Sequence, residues 1–96
     1  MAMYIALSTF TDQGIRTVKD TAKRAEAVAA LGKKFGATMT QVYWTLGQFD
    51  VVAFIDAPDD EAATAFSLAI GGLGNVRTQT MRAFNRDEIG RIVAKL

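Results

Sequence analysis

A glycine-led link between two apolar runs constrains the fold more than any other feature of this sequence. The segment Gly47-Gln48-Phe49-Asp50 separates residues 41–46 from residues 51–55, and both runs are rich in β-branched and aromatic side chains. Glycine adopts positive φ without a steric penalty, so this pattern predicts a β-hairpin. The hairpin lies between two stretches with helical periodicity, and this order favours a small α+β domain.

The composition limits the chemistry that is open to this chain. It contains no histidine and no cysteine, which removes thiolate nucleophiles, Ser-His-Asp triads and the commonest metal ligands. We therefore expect neither a metal nor a cofactor. Eleven basic and ten acidic residues leave a net charge of +1, which gives no electrostatic case for nucleic acid. No segment has the pattern of a signal peptide or membrane span, so we expect a cytoplasmic protein with no membrane partner.

Periodicity and turn residues predict the remaining elements. Four strands are expected, at 3–10, 38–46, 51–56 and 76–84. Two helices are expected between them, one at 13–34 and one that begins within 57–61 and ends within 71–75. The first helix should bury the stripe Ile15, Val18, Ala22, Ala25, Val28 or Ala29, and Gly32. The second should bury Ala62, Phe66, Leu68, Ala69 and Leu73.

The end of the chain carries a helix signal of its own. Asn85 and Glu88 have the spacing of a capping box. The residues that follow place apolar side chains at i, i+3, i+4 and i+7, namely Ile89, Ile92, Val93 and Leu96. Residues 84–96 are therefore expected to form a C-terminal helix that caps the domain or docks on another chain. We interpret 1–96 as one domain.

This element order is βαββαβ plus a terminal helix, the ferredoxin-like pattern. It predicts a four-stranded antiparallel sheet with two helices on one face and nothing on the other. Half of the residues are apolar, which is rich for so small a chain. We therefore expect the bare face to pair with a second copy, giving a homodimer or higher oligomer.

The length of the hairpin link sorts its residues onto the two faces. With a two- or four-residue link, Tyr43 and Thr45 share a face with Asp50, Val52 and Phe54, whereas a three-residue link reverses the pairing. This mixed set suits the bare face. A cavity there would hold a small molecule, with Tyr43, Thr45, Asp50 and Phe54 as candidate ligand-binding residues.

Several segments of the chain resemble the GYD domain family. They are Thr11-Asp12-Gln13-Gly14, Tyr43-x-x-x-Gly47-x-Phe49-Asp50, Ala57-Pro58-Asp59-Asp60 and Leu73-Gly74-Asn75-Val76-Arg77-Thr78, with Lys19 and Arg24 on the first helix. The family's name motif is Gly-x-Tyr-Asp, so Phe49 is a departure that loses a hydroxyl. The resemblance implies a dimeric α+β barrel, a superfamily that includes cofactor-free oxygenases, isomerases and haem-handling enzymes. It also adds Arg24 to the candidate ligand-binding residues.

Three functions remain open from the sequence. The first is an oligomeric small-molecule-binding protein with a cavity near Tyr43 and Asp50. The second is a cofactor-independent monooxygenase or isomerase in which Asp50 or Tyr43 transfers a proton. Against it, Asp in such a position routinely binds the backbone amides of a turn. The third is a structural interaction module that docks through its terminal helix.

Overall fold

A computed structural model describes residues 1–96 and contains one four-stranded antiparallel sheet. The strands are β1 (Ala2–Phe10), β2 (Thr38–Trp44), β3 (Val51–Ala57) and β4 (Val76–Ala83), in the spatial order β2-β3-β1-β4. The helices are α1 (Asp12–Arg16), α2 (Thr21–Gly32), α3 (Asp60–Gly72) and α4 (Arg86–Val93). This arrangement confirms the ferredoxin-like α+β prediction, with β3 and β1 in the centre of the sheet.

The hairpin has the four-residue link that places Tyr43 and Phe54 on one face. Tyr43 pairs with Val52 and Trp44 pairs with Val51, and the Thr45 amide donates to the Asp50 carbonyl at 2.9 Å. Residues 46–49 form the link, in which Gly47 has φ 122°, a conformation that favours glycine. The predicted sorting of the hairpin onto two faces is therefore confirmed.

The first helix is not continuous over 13–34, contrary to the prediction. It breaks at Thr17, whose φ and ψ are −113° and 30°, and a 3₁₀ turn at Val18–Asp20 leads into α2. The Thr17 hydroxyl donates to the Gln13 carbonyl at 3.0 Å, which closes α1 at this point. The break turns the start of the predicted stripe outward, so that Ile15 is 52% exposed.

The second helix begins at Asp60 and buries a face that matches the prediction at Phe66 but not at Leu68 or Leu73. Asp59 is the N-cap, its carboxylate accepting from the Ala62 amide at 2.9 Å, and Pro58 lies outside the helix. The buried residues of α3 are Ala63, Phe66 and Ile70, spaced i, i+3, i+7. Leu68, predicted to be buried, lies about 200° around the helix from Phe66 and is 71% exposed.

The core between the sheet and the helices is small in side-chain volume. Its nine buried apolar residues include five alanines, and Phe66 is the one large side chain that is fully buried. The full set is Tyr4, Ala6, Ala37, Ala53, Ile55, Ala57, Ala63, Phe66 and Ile70. Only 12 of 96 residues are buried, so most of the apolar side chains keep some exposed surface.

The C-terminal helix α4 starts as predicted but packs little. The Asn85 side chain accepts from the Glu88 amide at 2.8 Å and the Glu88 carboxylate accepts from the Asn85 amide at 3.0 Å, which confirms the capping box. Arg82 forms an ion pair with Glu88 at 3.1 Å and lies 4.4 Å from the centre of the Phe84 ring. No residue of α4 is buried. None of the helices has the length and apolarity needed to cross a membrane.

Candidate functional site

The sheet face opposite α2 and α3, which we call the open face, is apolar at its centre. Strand register brings together on it Ile5, Leu7, Tyr43, Val52, Phe54 and Met81. Tyr43 and Phe54 pack edge to face with ring centres 6.4 Å apart. Tyr43 is nevertheless 53% exposed and Met81 40% exposed. The aromatic pair on this face therefore presents a hydrophobic surface to its surroundings.

Thr45 and Asp50 stand at the end of the hairpin and hold it to β1. The Asp50 carboxylate accepts from the Phe10 amide at 2.9 Å, and the Asp50 amide donates to the Ser8 carbonyl at 2.8 Å. The Thr45 hydroxyl donates to the Phe49 carbonyl at 2.6 Å. These contacts give Asp50 a backbone-binding role, although the amide that it binds belongs to the end of β1 instead of the turn.

Arg24 lies on the other side of the sheet, where it ties α2 to the end of α1. Its guanidinium donates to the Thr17 carbonyl at 2.9 Å, to the Thr17 hydroxyl at 2.7 Å and to the Gly14 carbonyl at 3.0 Å. A cation at the carboxyl end of a helix satisfies carbonyls that have no partner within the helix. No carboxylate lies within ion-pair distance of Arg24, since the chain's one salt bridge joins Arg82 and Glu88.

A cavity of about 340 Å³ lies between the sheet and α2. Its floor includes the small side chains Ala6, Ser8 and Ala53, and its α2 wall includes Ala25 and Val28. Small residues at inward positions leave space because neighbouring backbones cannot move closer together to fill it. Fourteen of the 19 lining residues are hydrophobic, so this space suits an apolar guest.

Trp44 and Arg24 mark the place where the cavity reaches the surface. Both line it, and Trp44 is 44% exposed. The Trp44 indole donates to the Thr21 hydroxyl at 2.9 Å, which joins the end of β2 to the start of α2. This indole is the only tryptophan of the chain.

A pair of hydroxyls, of which Ser8 is buried and Thr78 half-buried, supplies polarity inside the cavity. The Ser8 and Thr78 hydroxyls lie 3.0 Å apart and hydrogen-bond to each other. Ser8 is only 8% exposed. One hydroxyl of such a pair donates and the other accepts, so one hydroxyl hydrogen remains for a further acceptor.

The structure separates the predicted site residues. Tyr43 and Phe54 meet on the open face, and Thr45 and Asp50 close the hairpin. Arg24 is the fifth predicted residue, and it alone of the five lines the cavity. The other lining residues were not predicted as site residues, among them the polar or aromatic Ser8, Trp44 and Thr78. The signal that was present is the row of small residues at alternating positions of the two central strands, Ala6, Ser8 and Ala53.

Two of the segments that carry the family resemblance, residues 11–14 and 73–75, are joined by hydrogen bonds beside the cavity. The Thr11 hydroxyl donates to the Gly74 carbonyl at 2.5 Å, and the Gln13 side-chain amide donates to the Leu73 carbonyl at 3.1 Å and the Asn75 side chain at 2.9 Å. A Cβ on Gly14 would lie 1.9 Å from the Asn75 carbonyl oxygen. Residues 11–14 and 73–75 therefore form one junction that fixes the end of the cavity.

A second polar contact secures the opposite end of the helical layer. The Tyr4 hydroxyl donates to the Asp60 carboxylate at 2.5 Å. This hydrogen bond, with burial of the phenol, raises the pKa of Tyr4 to about 12, because the carboxylate favours the neutral donor. The contact joins β1 to the first turn of α3.

The sheet, its two covering helices and its uncovered face define a ferredoxin-like α+β protein. The chain belongs to the GYD domain family, whose pattern it matches over residues 4–93. A relative, the glutamine synthetase and cystathionine beta-lyase binding protein of Thermus thermophilus, is 31% identical over 97 residues. That alignment covers 100% of this chain and 99% of the relative.

Two solved structures share the fold. The crystal structure of FFRP-DM1 has a TM-score of 0.64 and 15% identity, and the match covers 88% of this chain and 100% of the other. The structure of TTHA0845 from Thermus thermophilus has a TM-score of 0.58 and 23% identity, covering 88% and 95%. At 15% and 23% identity, these two structures show only that this chain shares their fold.

Proposed function

We propose that this chain is a homo-oligomeric, non-catalytic binding protein whose exposed apolar surfaces bury against a second copy and against partner proteins. The observation that carries the proposal is the open face, where Tyr43 and Met81 remain half exposed beside Phe54. A contiguous apolar patch on a small protein is typical of an interaction site. A second copy laid on this face would remove both aromatic rings from water.

The docking of a partner protein draws on a different surface, the apolar stripe of α4. Ile89, Ile92 and Val93 are 46%, 39% and 51% exposed, and the helix contributes nothing to the buried core. An amphipathic helix of this kind is a common protein-recognition element. The name of the Thermus relative supports a binding role, since that protein is described as binding two enzymes. We propose the cytoplasm as the compartment, which cell fractionation would check.

The enzymatic alternative has less support. Proton transfer by Asp50 needs a carboxylate that is free to meet a substrate, whereas this carboxylate binds the Phe10 amide. The Tyr43 hydroxyl lies 3.3 Å from the Gln41 side chain on an exposed face, where water competes for every proton. These contacts favour structural roles for both residues over a cofactor-independent monooxygenase or isomerase.

Direct binding to purified enzymes tests the proposal. Glutamine synthetase and cystathionine beta-lyase from the organism that encodes this chain are titrated against it by isothermal calorimetry. We expect saturable binding to at least one of them. Ile92→Lys should weaken it by about tenfold or more, because a lysine ammonium does not desolvate readily in an apolar contact.

Leu68→Lys is the matched control, since it makes the same kind of change on the exposed side of α3. Binding by this variant should equal that of the parent chain. A chain that is oligomeric and binds neither enzyme would refute the partner class. Equal losses in the two lysine variants would refute docking through α4.

A further inference from the structure

We propose that the cavity between the sheet and α2 binds an amphipathic carboxylic acid, with its apolar body over Ala6 and Ala53 and its carboxylate beside Arg24. This site lies on the helix side of the sheet, away from the open face and from α4. The inference therefore goes beyond the proposed docking function and stands without it.

The size of the cavity suits a small-molecule occupant. An engineered apolar cavity of about 150 Å³ stays dry and binds benzene, and the space here is about 340 Å³. Pockets that hold small molecules begin at about 300 Å³, so the expected ligand is compact. The alanines that create the space belong to a core in which five of the nine buried apolar residues are alanine. A guest would restore the dispersion contacts that these alanines lack.

The lining selects the apolar part of the ligand. Val28, Val42 and Ile55 face the space together with the alanines, and they offer no hydrogen bonds. Water in such surroundings loses most of its partners, whereas a hydrocarbon loses none. The hydrogen left over on the Ser8–Thr78 hydroxyl pair accommodates one acceptor atom along the ligand.

The charge at the mouth selects the polar end. A guanidinium has five N–H donors, and Arg24 makes three hydrogen bonds to Thr17 and Gly14. The two remaining donors belong to a cation that lines the cavity and has no carboxylate partner. An anion placed there gains charge-assisted hydrogen bonds that a neutral group does not. The geometry thus favours a carboxylate over an alcohol or an amide.

The test compares decanoate with decan-1-ol, which share a chain length and differ in the charged group. Both are titrated below their aggregation limits, and binding is followed by Trp44 fluorescence with calorimetry as a second readout. Trp44 is the only indole and lines the cavity. Decanoate should bind at least about tenfold more tightly than the alcohol, as one charge-assisted hydrogen bond predicts.

Substitutions at Arg24 and in the cavity wall locate the site. Arg24→Gln should abolish the preference for decanoate, and Arg24→Lys should keep part of it. Ala53→Leu fills the floor of the cavity and should abolish binding of both molecules without lowering the melting temperature. Ala30→Leu, on the exposed side of α2, is the matched control and should bind like the parent. If Ala53→Leu does not fold, Ala25→Met fills the same space from the opposite wall.

The outcomes separate this inference from the proposed function. Phe54→Lys, on the open face, should leave decanoate binding unchanged whatever it does to assembly. Binding of decanoate that survives both cavity-filling variants would overturn the site. Absence of decanoate binding by fluorescence and calorimetry would overturn it as well. Equal affinity for acid and alcohol in the parent chain would overturn the assignment of the carboxylate to Arg24.

Discussion

At Gly14 the chain has no room for a side chain. A Cβ at this position would lie 1.9 Å from the Asn75 carbonyl oxygen, and the Thr11 amide donates to that same oxygen at 3.1 Å. The obstacle is backbone that is held by a hydrogen bond, so it cannot rotate away as a side chain would. The glycine is therefore required by close approach and not by its backbone angles.

Gly14→Ala should destabilise the protein by about 3 kcal/mol or more, because overpacking against fixed backbone displaces the junction between residues 11–14 and 73–75. Gly90→Ala is the matched control. Gly90 lies within α4 with nothing near its Cβ position, so alanine there should stabilise the helix by about 0.5–1 kcal/mol. Urea unfolding measures both, and a neutral Gly14→Ala would contradict the close approach.

The raised pKa of Tyr4 predicts that the folded protein loses stability at high pH. Its pKa of about 12 in the folded chain exceeds the value of about 10 expected after unfolding. The stabilisation is therefore complete below about pH 10 and is lost as the pH rises from about 10 to about 12. Tyr4→Phe should lose about 1 kcal/mol at pH 7 and should remove this pH dependence. Urea unfolding at both ends of the range tests it, and parallel pH profiles of variant and parent would contradict it.

At the scale of the elements, local signals were sufficient for the hairpin and for α4 but not for the first helix. Gly47 and the Asn85–Glu88 pair act through neighbours in the chain, so their pattern predicts their structure. The helical periodicity of 13–34 runs straight across Thr17. The position of α1 before this break is held by the contact of Gln13 with Asn75, 62 residues away, and such contacts leave no periodic signal in the sequence.

The capping box predicts how α4 responds to substitution. Asn85→Ala removes the acceptor of the Glu88 amide and should cost α4 about 1 kcal/mol. Because α4 contributes no buried residue, the change should accelerate amide exchange within α4 and leave the melting temperature of the rest nearly unchanged. Asn85→Ser keeps an N-cap acceptor and is the control. Slower or equal exchange in the alanine variant would contradict the assignment.

The capping box of Asn85 and Glu88 also predicts that acid destabilises α4. The backbone amide of Asn85, followed by the guanidinium of Arg82, lowers the pKa of the Glu88 carboxyl. Because the pKa is lower in the folded chain, the ionised carboxyl stabilises the folded state at pH values above about 4.3, the pKa of Glu in the unfolded chain. This stabilisation is lost as the pH falls through the pKa of Glu88 in the folded chain. An NMR titration of the Glu88 carboxyl should show the low pKa in the parent and a higher one in Arg82→Gln. An unchanged value would contradict the contact.

At the scale of the whole molecule, the order of elements predicted the sheet, whereas the cavity escaped prediction. A cavity depends on which small residues of different strands come side by side, as Ala6 and Ala53 do in the register of β1 and β3. The length of the hairpin link determines the register of β2 and β3 only, and nothing comparable in the sequence determines the register of β1. The predicted binding site therefore lay near Tyr43 and Asp50, whereas Arg24 is the predicted residue that lines the cavity.

The small core and the apolar open face both indicate that this chain buries more apolar surface when it assembles with a second copy. Half of the residues are apolar, yet only nine apolar residues are buried within the chain. Burial contributes about 25 cal/mol per Å² of apolar surface removed from water. Much of this stabilisation is still available to an assembly, and the open face of Tyr43, Phe54 and Met81 is where a second copy would gain it.

Sedimentation velocity over roughly a hundredfold range of concentration tests this account most directly. We predict that the parent chain sediments as a dimer or larger species, as does the control Leu68→Lys. Phe54→Lys should sediment as a monomer with an unchanged circular dichroism spectrum, because it places a charge in the centre of the open face. A parent chain that is monomeric at the highest concentration would contradict the account.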